Sequence, residues 1–103
     1  MKSIYKYLIP FENDVFIMVP AGSRFLSLEM VRDMPVVYFV VDPKEKKMEK
    51  YSFKVYGTGW NISNEDWKDL CDNWWDIGTI QMMEGILVWH VWMSEPEKCD
   101  EAI

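Results

Sequence analysis

A mainly β domain, a small antiparallel meander barrel or sandwich of about seven strands with one short helix, is the fold class this sequence predicts. Three observations predict it. Apolar residues alternate with a period of two along most of the chain. Turn signals recur at short, regular intervals. A helical spacing occurs once, near residues 64–74.

The elements follow in order. Ser3 to Ile9 alternates with Tyr5, Tyr7 and Ile9 on one side and Ile4, Lys6 and Leu8 on the other. Pro10 and the cluster Glu12-Asn13-Asp14 close it. Val15 to Met18 is a short second strand, ended by Pro20-Ala21-Gly22-Ser23. Arg24 to Arg32 is a third, expected to face Leu26, Leu28 and Met30 one way. Asp33 and Met34 turn the chain into Pro35–Val41, a nearly continuous apolar run of the kind buried on both faces. The charged stretch Asp42 to Lys47 reads as a solvated hairpin loop, because Asp42, Glu45 and Glu49 dilute its lysines. Tyr51 to Thr58 is strand five. Ser63 is positioned to cap a helix from Asn64 to Trp74, with Trp67, Leu70, Cys71 and Trp74 on one stripe. Asp76 and Gly78 lead into Ile77–Met83, Glu84-Gly85 turns, and Ile86 to Met93 is strand seven. Residues 1–93 read as a single β domain, and residues 94–103 as an acidic, flexible tail.

Composition sets limits on function. Half of the 103 residues are hydrophobic and 16% are aromatic, enough to build a core and more than a small domain hides easily. Apolar surface left over for self-association is therefore expected. The net charge of −6 has the wrong sign for displacing counterions from extended nucleic acid, which is excluded as a partner. A small anion held by local cations and N–H groups is still compatible. Cys71 and Cys99 lack metal or redox spacing and read as free thiols, so neither a metal nor a cofactor is expected. Lys6, Pro10 and Glu12 interrupt any leader-like core, and the longest apolar run is far too short to span a bilayer. A soluble intracellular protein without membrane contact is expected.

The most specific feature is the corner Tyr56-Gly57-Thr58-Gly59-Trp60, which follows an alternating strand. Two glycines strip the backbone of side chains where the strand ends, and flat rings flank them. The expectation is open main chain next to stacking surfaces. Alternation adds Lys54 from strand five, Thr79 and Gln81 from strand six and His90 from strand seven. This inventory binds rather than reacts, because no nucleophile, base and orienter stand together in the sequence. Each residue also has a plainer structural reading: His90 as a satisfied core histidine, Gln81 as a backbone partner, Tyr56 and Trp60 as core rings with polar tips.

The order of several segments resembles a large family of small bacteriophage proteins, most of unknown function. The segments are Ile4-Tyr5-Lys6-Tyr7, Met18-Val19-Pro20-Ala21-Gly22, Phe25-Leu26-Ser27-Leu28, Val41-Asp42-Pro43, Val55-Tyr56-Gly57-Thr58-Gly59, Ile77 to Met82 and Leu87-Val88-Trp89-His90-Val91. The resemblance covers residues 4–93. It departs where the family carries His after the second glycine and this chain carries Trp60, and where residues 61–76 are longer and hold the helix. In size and compactness the family is similar to an anti-CBASS group of phage "sponge" proteins, tetramers that hold cyclic dinucleotides such as 3′3′-cGAMP. What the resemblance implies is a homo-oligomer in the host cytoplasm that sequesters such a ligand without cleaving it. In that reading Tyr56, Trp60 or Trp92 stack on purines, the N–H groups of Gly57 to Gly59 and Lys54 or Arg24 meet phosphates, and Thr79, Gln81 and His90 read base edges. Two further readings stay open: an acidic phage protein that inhibits a host protein through Trp74 and Trp75, and a nucleotide-degrading enzyme.

Overall fold

The computed structural model describes residues 1–10 and 15–99. The expected turn at Glu12-Asn13-Asp14 and the end of the tail, 100–103, lie outside the described residues.

Among the described residues eight strands form two antiparallel sheets. The first has the order β1 (Ser3–Leu8), β4 (Met34–Val41), β3 (Arg24–Val31). The second has the order β2 (Val15–Pro20), β5 (Met48–Gly57), β7 (Leu87–Ser94), β6 (Trp74–Met82), with β8 (Glu97–Cys99) also pairing β5. The core lies between the sheets. Val37, Phe39 and Val41 from β4 meet Ile17, Tyr51, Phe53, Ile80, Val91 and Met93 from the second sheet, all buried. Phe39 organises it, touching Tyr7 and Phe25 edge-on and Tyr51 at a tilt, with centroids 5.9, 5.7 and 5.0 Å away.

The mainly β class and the single helix match expectation; several details differ. β3 carries a bulge at Leu26, so Phe25, Leu28 and Met30 face inward and Leu26 is exposed. A bulge adds one residue and reverses the alternation behind it, which a strict period of two does not register. β6 begins at Trp74 rather than Ile77. Asp76 and Gly78 form a second bulge inside it, with Asp76 Oδ1 accepting from the Gly78 N–H at 3.1 Å. The tail expected to fray from Ser94 instead continues the sheet as β8. Ser94 Oγ accepts from the Ser52 N–H at 2.9 Å where β7 leaves β5, and β8 resumes pairing with Met48–Lys50 on the same edge.

The helix α1 (Asn64–Asn73) is capped by Ser63, whose hydroxyl accepts from the Asp66 N–H. Its expected apolar stripe is only partly buried. Leu70 is buried and Trp74, just past the last turn, is half-buried, while Trp67 and Cys71 are exposed. Ile4 and Leu8 are exposed on the outer face of the first sheet, together with Leu26 at its bulge. No helix among the described residues is long and apolar enough to cross a membrane.

Candidate functional site

Residues directly opposite in an antiparallel pair share a face of the sheet. Tyr56 of β5 pairs with His90 of β7, and His90 pairs with Thr79 of β6. One step along, Lys54 pairs with Trp92 and Trp92 with Asp76. These residues lie on the outer face of the second sheet, because the intervening positions Phe53, Val91 and Met93 are buried in the core.

The row is ordered by its own contacts. The Tyr56 and Trp92 rings meet edge-to-face with centroids 5.8 Å apart. His90 is half-buried and held at both nitrogens: Nε2 lies 2.7 Å from Thr58 Oγ1 and Nδ1 lies 3.2 Å from Thr79 Oγ1. A neutral imidazole donates at one nitrogen and accepts at the other, and each hydroxyl rotates to suit. Among the described residues no carboxylate orients the ring, unlike the arrangement that makes histidine a strong general base. The set presents flat rings and two hydroxyls positioned by the imidazole between them. Among the described residues no three His, Cys, Asp or Glu side chains are grouped to hold a metal ion.

Lys54 shares this face but serves another purpose. Its Nζ lies 3.1 Å from Asp69 Oδ2 of α1 and 4.8 Å from the centre of the Trp74 ring. Trp74 Nε1 donates to the same Oδ2 at 3.0 Å, and Asn73 donates to Oδ1 at 2.7 Å. The Asn73 hydrogen bond, followed by those from Lys54 and Trp74, holds the Asp69 carboxyl below its usual range. The expected phosphate contact of Lys54 is thus replaced by a latch that fixes the helix on the sheet. The latch was missed because the sequence does not show which helical acid meets which strand cation.

The glycine corner differs from expectation. Gly57 pairs with Trp89 and so belongs to the opposite face from Tyr56 and His90. The Trp60 indole folds over it; a Cβ built on Gly57 would lie 2.8 Å from Trp60 Nε1. Trp60 also meets Trp89 edge-to-face at 5.1 Å. The Thr58 N–H donates to Val88 O and the Trp60 N–H to Gly57 O, each at 3.0 Å. The main chain of Gly57 and Thr58 is therefore covered or bonded, and open space around a missing Cβ is left only at Gly59, whose φ is +89°. Trp60 and Tyr56 stand on opposite faces, so they do not form one stacking surface.

Of the remaining expected residues, Gln81 stays on this face and Arg24 does not. Gln81 pairs with Val88 on the same face as His90, and its Oε1 lies close to Gly85 in the 3₁₀ turn Met83–Gly85. Arg24 is on the other sheet, where it lines a cleft of about 550 Å³ together with Phe25, Tyr51, Trp75 and Ile77. Sequence reasoning missed this cleft because its walls come from four separate segments, one of them at the second bulge. Two other cavities, of about 440 and 330 Å³, are lined by neither His90 nor Tyr56.

A family model described as a domain of unknown function (DUF7352) matches residues 1–101. No curated protein and no solved structure gives a significant match. The family match fits an uncharacterised family and assigns neither a ligand nor a source.

Proposed function

The chain belongs to the DUF7352 family, and on that premise we propose that it is a non-catalytic binding protein that sequesters a nucleotide-type ligand, a cyclic dinucleotide such as 3′3′-cGAMP, and leaves it intact. The observation that carries this reading is the in-register row Tyr56–His90–Thr79 with Trp92 and Thr58 on an outward sheet face. Flat rings supply base stacking, worth about 1–3 kcal/mol per base in single-strand binders. The Thr58 and Thr79 hydroxyls, oriented by the His90 imidazole between them, keep donor or acceptor capacity for base edges. His90 bonded to two neutral hydroxyls favours holding over proton abstraction.

An open face holds a small ligand tightly only when something covers it. A second copy of the chain would do so, if its apolar first-sheet face, with the exposed Ile4, Leu8 and Leu26, met the second-sheet face of its neighbour. The phage origin, the host-cytoplasmic location and the tetramer belong to this same proposal, through the resemblance of the Tyr-Gly-Thr-Gly and Leu-Val-Trp-His-Val segments.

Titration calorimetry with 3′3′-cGAMP tests the reading, followed by release of the ligand by heating. Binding with intact ligand recovered supports it. Cleaved ligand would show an enzyme, and the absence of heat would end the proposal. A second reading, a binder of a host protein, is favoured by the exposed indoles of Trp67 and Trp75, 51% and 50% accessible. Trp74 drops out of that reading because it is tied to Asp69. A stoichiometric host protein retained after small molecules are removed, with no response to the dinucleotide, would select it.

A further inference from the structure

We infer, resting on the outer-face reading above, that Asp69 of α1 fills a subsite for a phosphodiester group in the free chain, and that binding exchanges its carboxylate for the ligand's phosphate. Two donors carried by the second sheet converge on one oxygen. Lys54 Nζ lies 3.1 Å from Asp69 Oδ2, and Trp74 Nε1 donates to the same atom at 3.0 Å. Both donors belong to the sheet: Lys54 is on β5, and Trp74 opens β6 opposite Ser94, on the face that carries Trp92. The oxygen they meet belongs to the helix. Asn73, the third donor to this carboxylate, is also on the helix. An anion is therefore what the two sheet donors already hold. A phosphate oxygen accepts from the same pair, an ammonium and an indole N–H.

The subsite adjoins the row. Lys54 pairs with Trp92, whose ring meets that of Tyr56, and it stands two residues from Tyr56 on the same face, about 7 Å along the strand. A base stacked on either ring carries its phosphate towards Lys54. Lys50, the next cation on this face of β5, lies four residues further from the row and pairs with Glu97 at 3.9 Å. The exchange asks little of the fold. The Asp69 side chain is 40% accessible, so its carboxylate can turn into water. Leu70 beside it is 1% exposed and keeps α1 seated. Local charge is conserved, since a carboxylate and a phosphodiester each carry one negative charge. Asp76 lies across Trp92 from Lys54 and stays charged, and with the net charge of −6 it works against the phosphate. An uncharged ligand gains nothing from Lys54 and leaves Asp69 in place. Asp69 thus holds back phosphate-bearing ligands and no others.

The test measures 3′3′-cGAMP and adenosine on the full chain by titration calorimetry, with the Trp74 indole N–H followed by nuclear magnetic resonance. In the parent chain the Trp74 signal moves as the dinucleotide binds and stays fixed with adenosine. Asp69→Ala binds the dinucleotide at least about fivefold more tightly, because no carboxylate competes, and binds adenosine as before. Lys54→Gln in the Asp69→Ala chain removes that gain. The Trp74 measurement uses the parent chain, so it decides the matter even where Asp69→Ala fails to fold. A Trp74 signal unmoved by bound dinucleotide, an Asp69→Ala chain with no gain or an equal gain for adenosine, or a gain that survives Lys54→Gln would each overturn the inference and leave the outer-face reading standing. No heat with the dinucleotide from either the parent chain or Asp69→Ala would end both.

Discussion

Replacing Gly57 by alanine tests how the corner is built, because two effects of similar size oppose each other there. The new Cβ would stand 2.8 Å from Trp60 Nε1 and Cε2 and 3.2 Å from Cδ1, so the indole must move. Trp60 is 55% exposed and has room to do so. The loss is its edge-to-face contact with Trp89, about 0.5–1.5 kcal/mol. The gain is the lower backbone entropy of alanine in a strand, about 0.5–1 kcal/mol, and Gly57 has no left-handed φ to forbid it. The net change should lie within about 1 kcal/mol. Gly59→Ala is the counterpart: nothing stands within 4 Å of its Cβ, but φ is +89° and a side chain there costs about 1–2 kcal/mol. The variant with no clash should therefore be the less stable one. Urea unfolding gives both values, and the circular-dichroism couplet of the Trp60–Trp89 pair should vanish in Gly57→Ala and persist in Gly59→Ala. A loss above about 3 kcal/mol for Gly57→Ala with the couplet intact would refute the reasoning.

Phe39→Ala removes a fully buried ring that touches Tyr7, Phe25 and Tyr51, and should cost about 3–5 kcal/mol in the same assay. Tyr7 and Tyr51 have pKa values raised by burial, so the folded state holds their protons more tightly than the unfolded state, whose value is 10.0. Their contribution is complete below about pH 10 and is lost as pH rises through the folded values; urea midpoints measured across this range should fall, and Tyr51→Phe should flatten the fall. Asp69 has the opposite sign. Its lowered carboxyl stabilises above the unfolded value of 3.8 and ceases to as pH falls through the folded one, so the Trp74 indole N–H should lose protection in acid, and at neutral pH in Asp69→Ala.

How much could be read from the sequence varies along the chain. The apolar run Pro35–Val41 and the alternation of β1, β5 and β7 reflect burial on fixed faces, which residue type reports directly. The Ser63 cap is likewise a local event. The pairing of Tyr56, His90 and Thr79 was accessible because alternation and strand order together bring them level. The bulges at Leu26 and at Asp76–Gly78 were not accessible, since each adds a residue that satisfies local backbone geometry without a change of residue class. The fold of Trp60 back over Gly57 depends on Trp89 across the sheet, a contact without a local signature. Arg24 was named with Lys54 as an alternative phosphate contact through the resemblance, but it stands on the other sheet, beside a cleft whose lining residues Phe25, Tyr51 and Trp75 come together only in the packed sandwich.

The most direct test of the outer-face reading follows the His90 imidazole and Trp92 indole resonances while 3′3′-cGAMP is added. The account predicts that both shift with one common affinity and that Tyr56→Ala weakens that affinity without unfolding the chain. Resonances that stay fixed at millimolar dinucleotide, about the weakest affinity worth about 4 kcal/mol, would contradict it.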